Sequence, residues 1–245
     1  MSWGGEVIDV YVGLRQMMFW QGTEGLGAQA VADGLPDLAA GLKATGKRLR
    51  RWPHTRVRVW LSGAWALPFV MQPVAGLRNW REALAAAGAV AGDQTGWAKP
   101  AAVWLDSVPQ QHAALGVAAA QPVLAALNRG AAEVGVRLQS VRPWWALALD
   151  EARRDGDGVE LLAAEDSDAL ILLSATGEHW REAAAYAPKP VAQQAEAVVQ
   201  RRAMAQGIAA ERVRRSRLAG CATAPGSLPG RISAAIVSSF TQEAA

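Results

Sequence analysis

Four consecutive side chains carrying oxygen ligands, Glu165-Asp166-Ser167-Asp168, are the densest concentration of reactive groups in the chain. Hard carboxylate and hydroxyl oxygens in such a run could hold a divalent cation. Asp and Ser are equally the residues that close tight turns, and a solvated hairpin turn is the expected role. His112 and His179 are candidate acid–base groups. Neither falls in a nucleophile elbow, a His-Glu-x-x-His helix or a P-loop, so a structural role is expected of both. Cys221 has no nearby His and reads as an incidental thiol. One Cys excludes an intramolecular disulfide and thiolate-rich zinc clusters, and three scattered His disfavour a His-rich metal site. The sequence assigns no catalytic residue, no metal and no cofactor.

Binding chemistry is better represented. The stretch Lys47-Arg48-Leu49-Arg50-Arg51-Trp52-Pro53-His54-Thr55-Arg56 combines five Lys and Arg side chains with an aromatic; it could meet phosphate or an anionic membrane, but a solvated surface loop is expected. A second basic group, Arg201, Arg202, Arg212, Arg214, Arg215 and Arg217, lies on an expected helix whose basic face would meet acidic lipid or an acidic partner helix. Net charge is only +3, with 25 Lys+Arg against 22 Asp+Glu, so nucleic acid is disfavoured as a partner. Eleven Trp accompany three Phe and two Tyr. Five of them, Trp60, Trp65, Trp80, Trp97 and Trp104, crowd one short region, more than a small core needs, and Trp65, Trp80, Trp97 and Trp104 are taken as interface candidates.

These residues need a scaffold, and 245 residues at 51% hydrophobic and 19% charged suffice for one large globular domain or two small ones. β-prone runs at 7–13 and 16–22 predict an antiparallel hairpin, followed by a short strand at 28–32, a helix over 36–49 and a strand at 56–63. A β-α-β insertion is expected over about 64–111, with a strand at 69–72, a helix at 77–89, a Gly-rich loop at 91–96 and a strand at 101–105. Beyond it come a strand at 113–118, a helix at 122–134, a strand at 136–141 and a helix to about 153 that begins Arg142-Pro143-Trp144-Trp145. The charged, Gly-rich stretch Arg153-Arg154-Asp155-Gly156-Asp157-Gly158 separates residues 1–153 from 154–245. After it the opening order returns: strands at 159–164, 169–175 and 180–185, a long basic helix at 191–218, and a strand at 232–240 in the C-terminal tail. The expected class is α/β, a duplicated β-β-β-α-β unit.

That duplication resembles the ribonuclease H-like fold of the actin superfamily. Within residues 56–149, VRVWLSG, FVMQPV, LRNWREALAAA and LAALNRGAAEVGVRLQSVRPWWALAL, with Gly63, Pro73, Gly135-Val136 and Pro143, resemble the actin-like cytoplasmic platform proteins of type IV pili and type II secretion systems. Actin-like ATPases use two Asp-x-Gly hairpins to hold phosphate and Mg²⁺, since the N–H groups of a Gly turn approach phosphate closely. Here Asp9 precedes Gly13 by four residues, Leu14-Arg15-Gln16 follows it, and the second copy offers Asp166 without a Gly. The second copy is also short, and the Gly-rich segment that grips adenosine in relatives is not among its residues.

The resemblance with these departures implies a non-catalytic adaptor in a pilus or secretion-like assembly, working by protein–protein binding, with a homodimer allowed. The N-terminus lacks a signal-like pattern and no run reaches 18 apolar residues, so a cytoplasmic place, peripheral to the inner membrane, is expected. The alternative is an ATP- and Mg²⁺-binding protein with a degenerate site at Asp9, Gly13 and Asp166.

Overall fold

The computed structural model describes residues 6–31, 34–46, 55–95, 102–154 and 160–218. Strands β1 (Glu6–Val12), β2 (Gln16–Gln21) and β3 (Glu24–Ala30) form an antiparallel meander, α1 (Leu38–Ala44) follows, and β4 (Thr55–Leu61) returns parallel to β1. Asp37 caps α1 by accepting the Ala40 N–H. Further along, α3 (Gln121–Val134) leads to β8 (Arg137–Pro143), completing a five-stranded sheet of order β3-β2-β1-β4-β8.

The unit then repeats. Strands β9 (Leu161–Glu165), β10 (Leu170–Thr176) and β11 (His179–Tyr186), helix α5 (Ala192–Ala205) and β12 (Val213–Arg217) build a second sheet of order β11-β10-β9-β12, with the same antiparallel, antiparallel and parallel pairings. The mixed α/β class and the repeated element order agree with the sequence reading. Helix α4 (Trp144–Arg154) connects the two copies.

The burial pattern follows from side-chain alternation along the strands. In β1, Ile8, Val10 and Val12 point into a core closed by Leu38 and Leu42 of α1 and Val123 and Leu127 of α3. In β9 and β10, Leu161, Ala163, Leu170 and Leu172 point to Ala195 and Val199 of α5. The inner faces of the two sheets share one central cluster, in which Tyr11, Met18, Trp20 and Trp60 meet Trp144 and Trp145 of α4 and Leu162, Ile171 and Leu173 of the second sheet.

Three expectations change. The insertion holds β5 (Ala66–Met71), α2 (Trp80–Thr95) and β6 (Ala102–Leu105), and its sheet has the order β5-β7-β6. Its central strand is β7 (Ala114–Ala119), so this sheet extends past residue 111. Of the Gly-rich loop expected at 91–96, residues 91–95 are the last turn and a half of α2. Burial of Ala83, Ala87 and Ala91 along one face outweighs the cost of about 1 kcal/mol for each interior Gly. The long basic helix over 191–218 also does not form: α5 stops at Ala205, Gly207 takes a left-handed φ of 66°, and the chain becomes strand β12. Trp97, most of the basic stretch at 47–56, Cys221 and the strand expected at 232–240 lie outside the described residues.

Candidate functional site

The turn that joins β9 to β10 lies against the first copy. Asp166 is 1% exposed and uses both carboxylate oxygens twice. Its Oδ1 accepts the N–H groups of Asp168 and Ala169, each at 2.7 Å, which closes the turn itself. Its Oδ2 accepts the Gly63 N–H at 2.8 Å and the Ser62 hydroxyl at 3.0 Å, just beyond the end of β4. Ser167 Oγ lies 3.3 Å from the Tyr11 hydroxyl. Asp168 Oδ2 accepts the Leu14 N–H at 2.8 Å, in the turn joining β1 to β2. The turn is therefore a hairpin turn, as expected, but it is buried rather than solvated. Glu165, the first of the acidic run, pairs with Arg217 and Lys189.

Two glycines allow this approach. A Cβ at Gly13 would sit 2.6 Å from Asp168 Oδ2, and a Cβ at Gly63 would sit 2.8 Å from the Ile171 side chain. A Cβ at either position would force the facing side chain of the second copy to shift. Trp65 adds to the same corner by donating its Nε1–H to the Gly13 carbonyl at 3.1 Å.

Asp9 does not join this corner. It lies within β1, with Arg58 as its neighbour on β4. The Arg58 guanidinium donates to both its oxygens, Nε at 2.8 Å and Nη2 at 2.9 Å, and Trp60 Nε1–H lies 3.3 Å from Oδ1. Burial pushes the Asp9 carboxyl above its ordinary value, with Arg58 and Trp60 pulling the other way. Burial likewise raises the Asp166 carboxyl against its four donors.

The test for Mg²⁺ and ATP follows from these bonds. A metal-bound nucleotide would need carboxylate oxygens free to orient metal-bound water and turn N–H groups free to meet phosphate. Asp9 is committed to Arg58, both oxygens of Asp166 are committed to protein donors, and the Leu14 and Gly63 N–H groups are taken by Asp168 and Asp166. The residues present do not fit the group. Among the described residues no set of three or more His, Cys, Asp or Glu is placed to hold a metal.

The interface candidates separate by exposure. Trp80, first residue of α2, is 48% exposed and Trp104 on β6 is 46% exposed. Trp65 is half-buried in the corner just described. Arg202 is tied to Glu182, and Arg215 to Glu196 of α5. Arg201 lies exposed on α5, whereas Arg214 and Arg215 stand on strand β12, so the single basic helical face expected of them does not exist. Trp104 borders a cleft of about 270 Å³ between the insertion and the first sheet, lined also by Leu61, Val117, Ala119, Val141 and Pro143.

Sequence reasoning missed Ser62 and Arg58, and it gave Leu14 and Asp168, both named in the sequence, no part in a contact between the copies. Arg58 was visible only as one cation in an alternating strand, and the register that sets it against Asp9 is not written in either strand. His112 and His179 do come together, with ring centroids 4.4 Å apart where the insertion meets β11. Beside them Asp106 Oδ2 accepts the Trp180 Nε1–H at 2.8 Å, and Arg153 lies 5.0 Å over the Trp180 ring.

No family model matches the sequence, and no curated protein matches it. Solved structures do match. A Bacteroides thetaiotaomicron protein with an actin-like ATPase fold and unknown function aligns at a TM-score of 0.52 and 10% identity, over 97% of this chain and 87% of that one. The chain has the actin-like fold. A PilM–PilN type IV pilus biogenesis complex shares it at a TM-score of 0.51 and 15% identity, covering 84% of this chain and 68% of the other. The cytoplasmic domain of EpsL, an inner membrane component of the Vibrio cholerae type II secretion system, aligns at 0.45 and 15% identity, over 75% and 71%.

Proposed function

We propose that this actin-like chain is a non-catalytic adaptor, which binds an extended segment of a partner protein in a membrane-associated pilus or secretion assembly. The observation that carries the reading is the contrast between two places. The corner where an actin-like nucleotide site would form is closed by the protein's own hydrogen bonds, while the cleft beside Trp104 is open and, apart from Arg142, lined by apolar side chains.

The cleft suits a peptide better than a cofactor. At about 270 Å³ it falls below the usual range for small-molecule pockets, roughly 300–1,000 Å³, and has room for one or two apolar side chains. Strands β6 and β8, each the last strand of its sheet among the described residues, contribute Trp104 on one side and Val141 and Pro143 on the other. Terminal strands offer backbone N–H and C=O groups to an added extended segment. A second exposed apolar patch, Trp80 and Leu84 on α2 with Val74 before it, extends the insertion's contact surface. The shared fold with a two-protein pilus biogenesis complex supports the kind of assembly. A cytoplasmic position beside the inner membrane belongs to the same proposal, and no helix among the described residues is long and apolar enough to cross a membrane.

The test is affinity purification of the tagged full chain from its own cells, in parallel with Trp104→Glu. Recovery of an inner-membrane pilus or secretion component that is lost with Trp104→Glu supports the proposal. Equal recovery with the variant removes the cleft from it, and recovery of no such component removes the assembly. Thermal unfolding with ATP and Mg²⁺ completes the test, with no shift expected.

A further inference from the structure

The corner between the copies has the composition of an oxyanion site. Leu14 N–H and Gly63 N–H each lie within two residues of the end of a parallel strand, the Ser62 hydroxyl stands beside them, and Gly13 and Gly63 leave no Cβ in the way. Backbone N–H groups converging at glycine turns make concavities that take anions. All three donors end on carboxylate oxygens: Leu14 on Asp168, Gly63 and Ser62 on Asp166. The donors belong to the first copy and both acceptors to the second.

We infer that Asp166 and Asp168 are built-in anions, filling an oxyanion site in the first copy and locking the two copies in one closed arrangement. The two carboxylates divide the work. Asp166 Oδ1 shapes its own turn while Oδ2 reaches across, so removing it dissolves the turn as well as the lock. Asp168 reaches across to the Leu14 N–H, and its removal leaves the Asp166 bonds that form the turn. The 2.6 Å between a Cβ at position 13 and Asp168 Oδ2 means that the carboxylate fills the room beside this N–H. A free anion cannot enter while Asp168 is in place, and the vacated position would suit a phosphate or sulfate oxygen. This inference is independent of what occupies the Trp104 cleft.

The experiment is thermal unfolding of the full chain and of Asp168→Ala in inorganic phosphate and in sodium chloride of equal ionic strength. The expected result is a phosphate-specific rise in Tm of about 2–4 °C for Asp168→Ala and none for the wild type. Absence of that rise in a folded Asp168→Ala overturns the inference, and so does an equal rise in the wild type, which would mean that the site is open. Should Asp168→Ala not fold, hydrogen exchange of the wild type decides. Leu14 and Gly63 amides are expected to exchange as slowly as the β1 and β4 core, and exchange at the rate of an open turn overturns the lock.

Discussion

The two copies have the same topology, yet the turn between their first two strands plays opposite roles. In the first copy this turn, at Gly13 and Leu14, has a bare Cα and presents an N–H donor; in the second, at Asp166, Ser167 and Asp168, it is entirely polar and presents acceptors. A symmetric pair of either kind would not close, since two donor turns would face each other unsatisfied and two acidic turns would repel. Duplication followed by divergence to donor and acceptor gives an interface that satisfies itself. The same divergence removes what a nucleotide would need.

Breaking the acceptor side should have the largest effect. Asp166→Ala orphans four donors at once, three of them backbone N–H groups, and is expected to cost about 4 kcal/mol in a urea unfolding experiment. A loss below about 1 kcal/mol would mean that water replaces the carboxylate and that the turn is not a lock.

The first copy's own carboxylate provides the contrast. Asp9→Ala leaves the Arg58 guanidinium, 14% exposed, without its bidentate partner and should cost about 3 kcal/mol. Replacing the pair with Asp9→Leu and Arg58→Met should recover most of that, because an apolar pair carries no desolvation penalty. Such recovery would separate Asp9, a replaceable structural ion pair, from Asp166, which no single apolar residue can replace.

Adding a methyl group tests how closely the copies meet. Gly63→Ala places its Cβ 2.8 Å from both Cγ1 and Cδ1 of Ile171 and should cost about 2 kcal/mol, an added cost that shrinks in an Ile171→Ala background, where both atoms are gone. Failure of that rescue would locate the strain at the Ala169 Cβ, 3.0 Å from the same position.

A smaller effect is expected from pH. Burial raises the Asp166 carboxyl above its ordinary 3.8, so the folded chain holds this proton more tightly than the unfolded chain does. The associated stability is fully present below the unfolded value and is lost as pH rises through the raised one. The stability difference between wild type and Asp166→Asn should narrow over that window. Smallest of all is Glu196→Gln, which removes the partner of Arg215 at the exposed edge of the second copy and should leave the unfolding midpoint unchanged.

Element order was largely legible because it rests on local signals. The alternation Ile8, Val10, Val12 marks a strand, Pro122 near a helix start and Gly135 at its end mark α3, and Asp-Ser-Asp marks a turn. Pairing was not legible: Asp9 and Arg58 meet across 49 residues, and Asp166 and Gly63 across 103. Val213 and Leu218 fit a helical period as well as a strand, which is why the helix expected at 191–218 runs past Ala205. The correcting signal was present in Gln206-Gly207, a left-handed stop after which Ile208 folds back against α5. The Trp-rich region divided as physical size predicts: Trp60 entered the core and Trp80 and Trp104 stayed half in solvent. Trp60 and Trp65 bond to Asp9 and Gly13, partners in the same copy but about fifty residues away along the chain.

The near-contact of Gly13 with Asp168 also limits how this protein can evolve. A side chain at position 13 becomes tolerable only after the carboxylate at 168 has been lost, and a shorter residue at 168 leaves the Leu14 N–H in need of another acceptor. The two positions, separated by most of the chain, are bound to change in a set order or together, and only a lineage that lost the carboxylate while keeping Gly13 would present an empty anion pocket to natural selection.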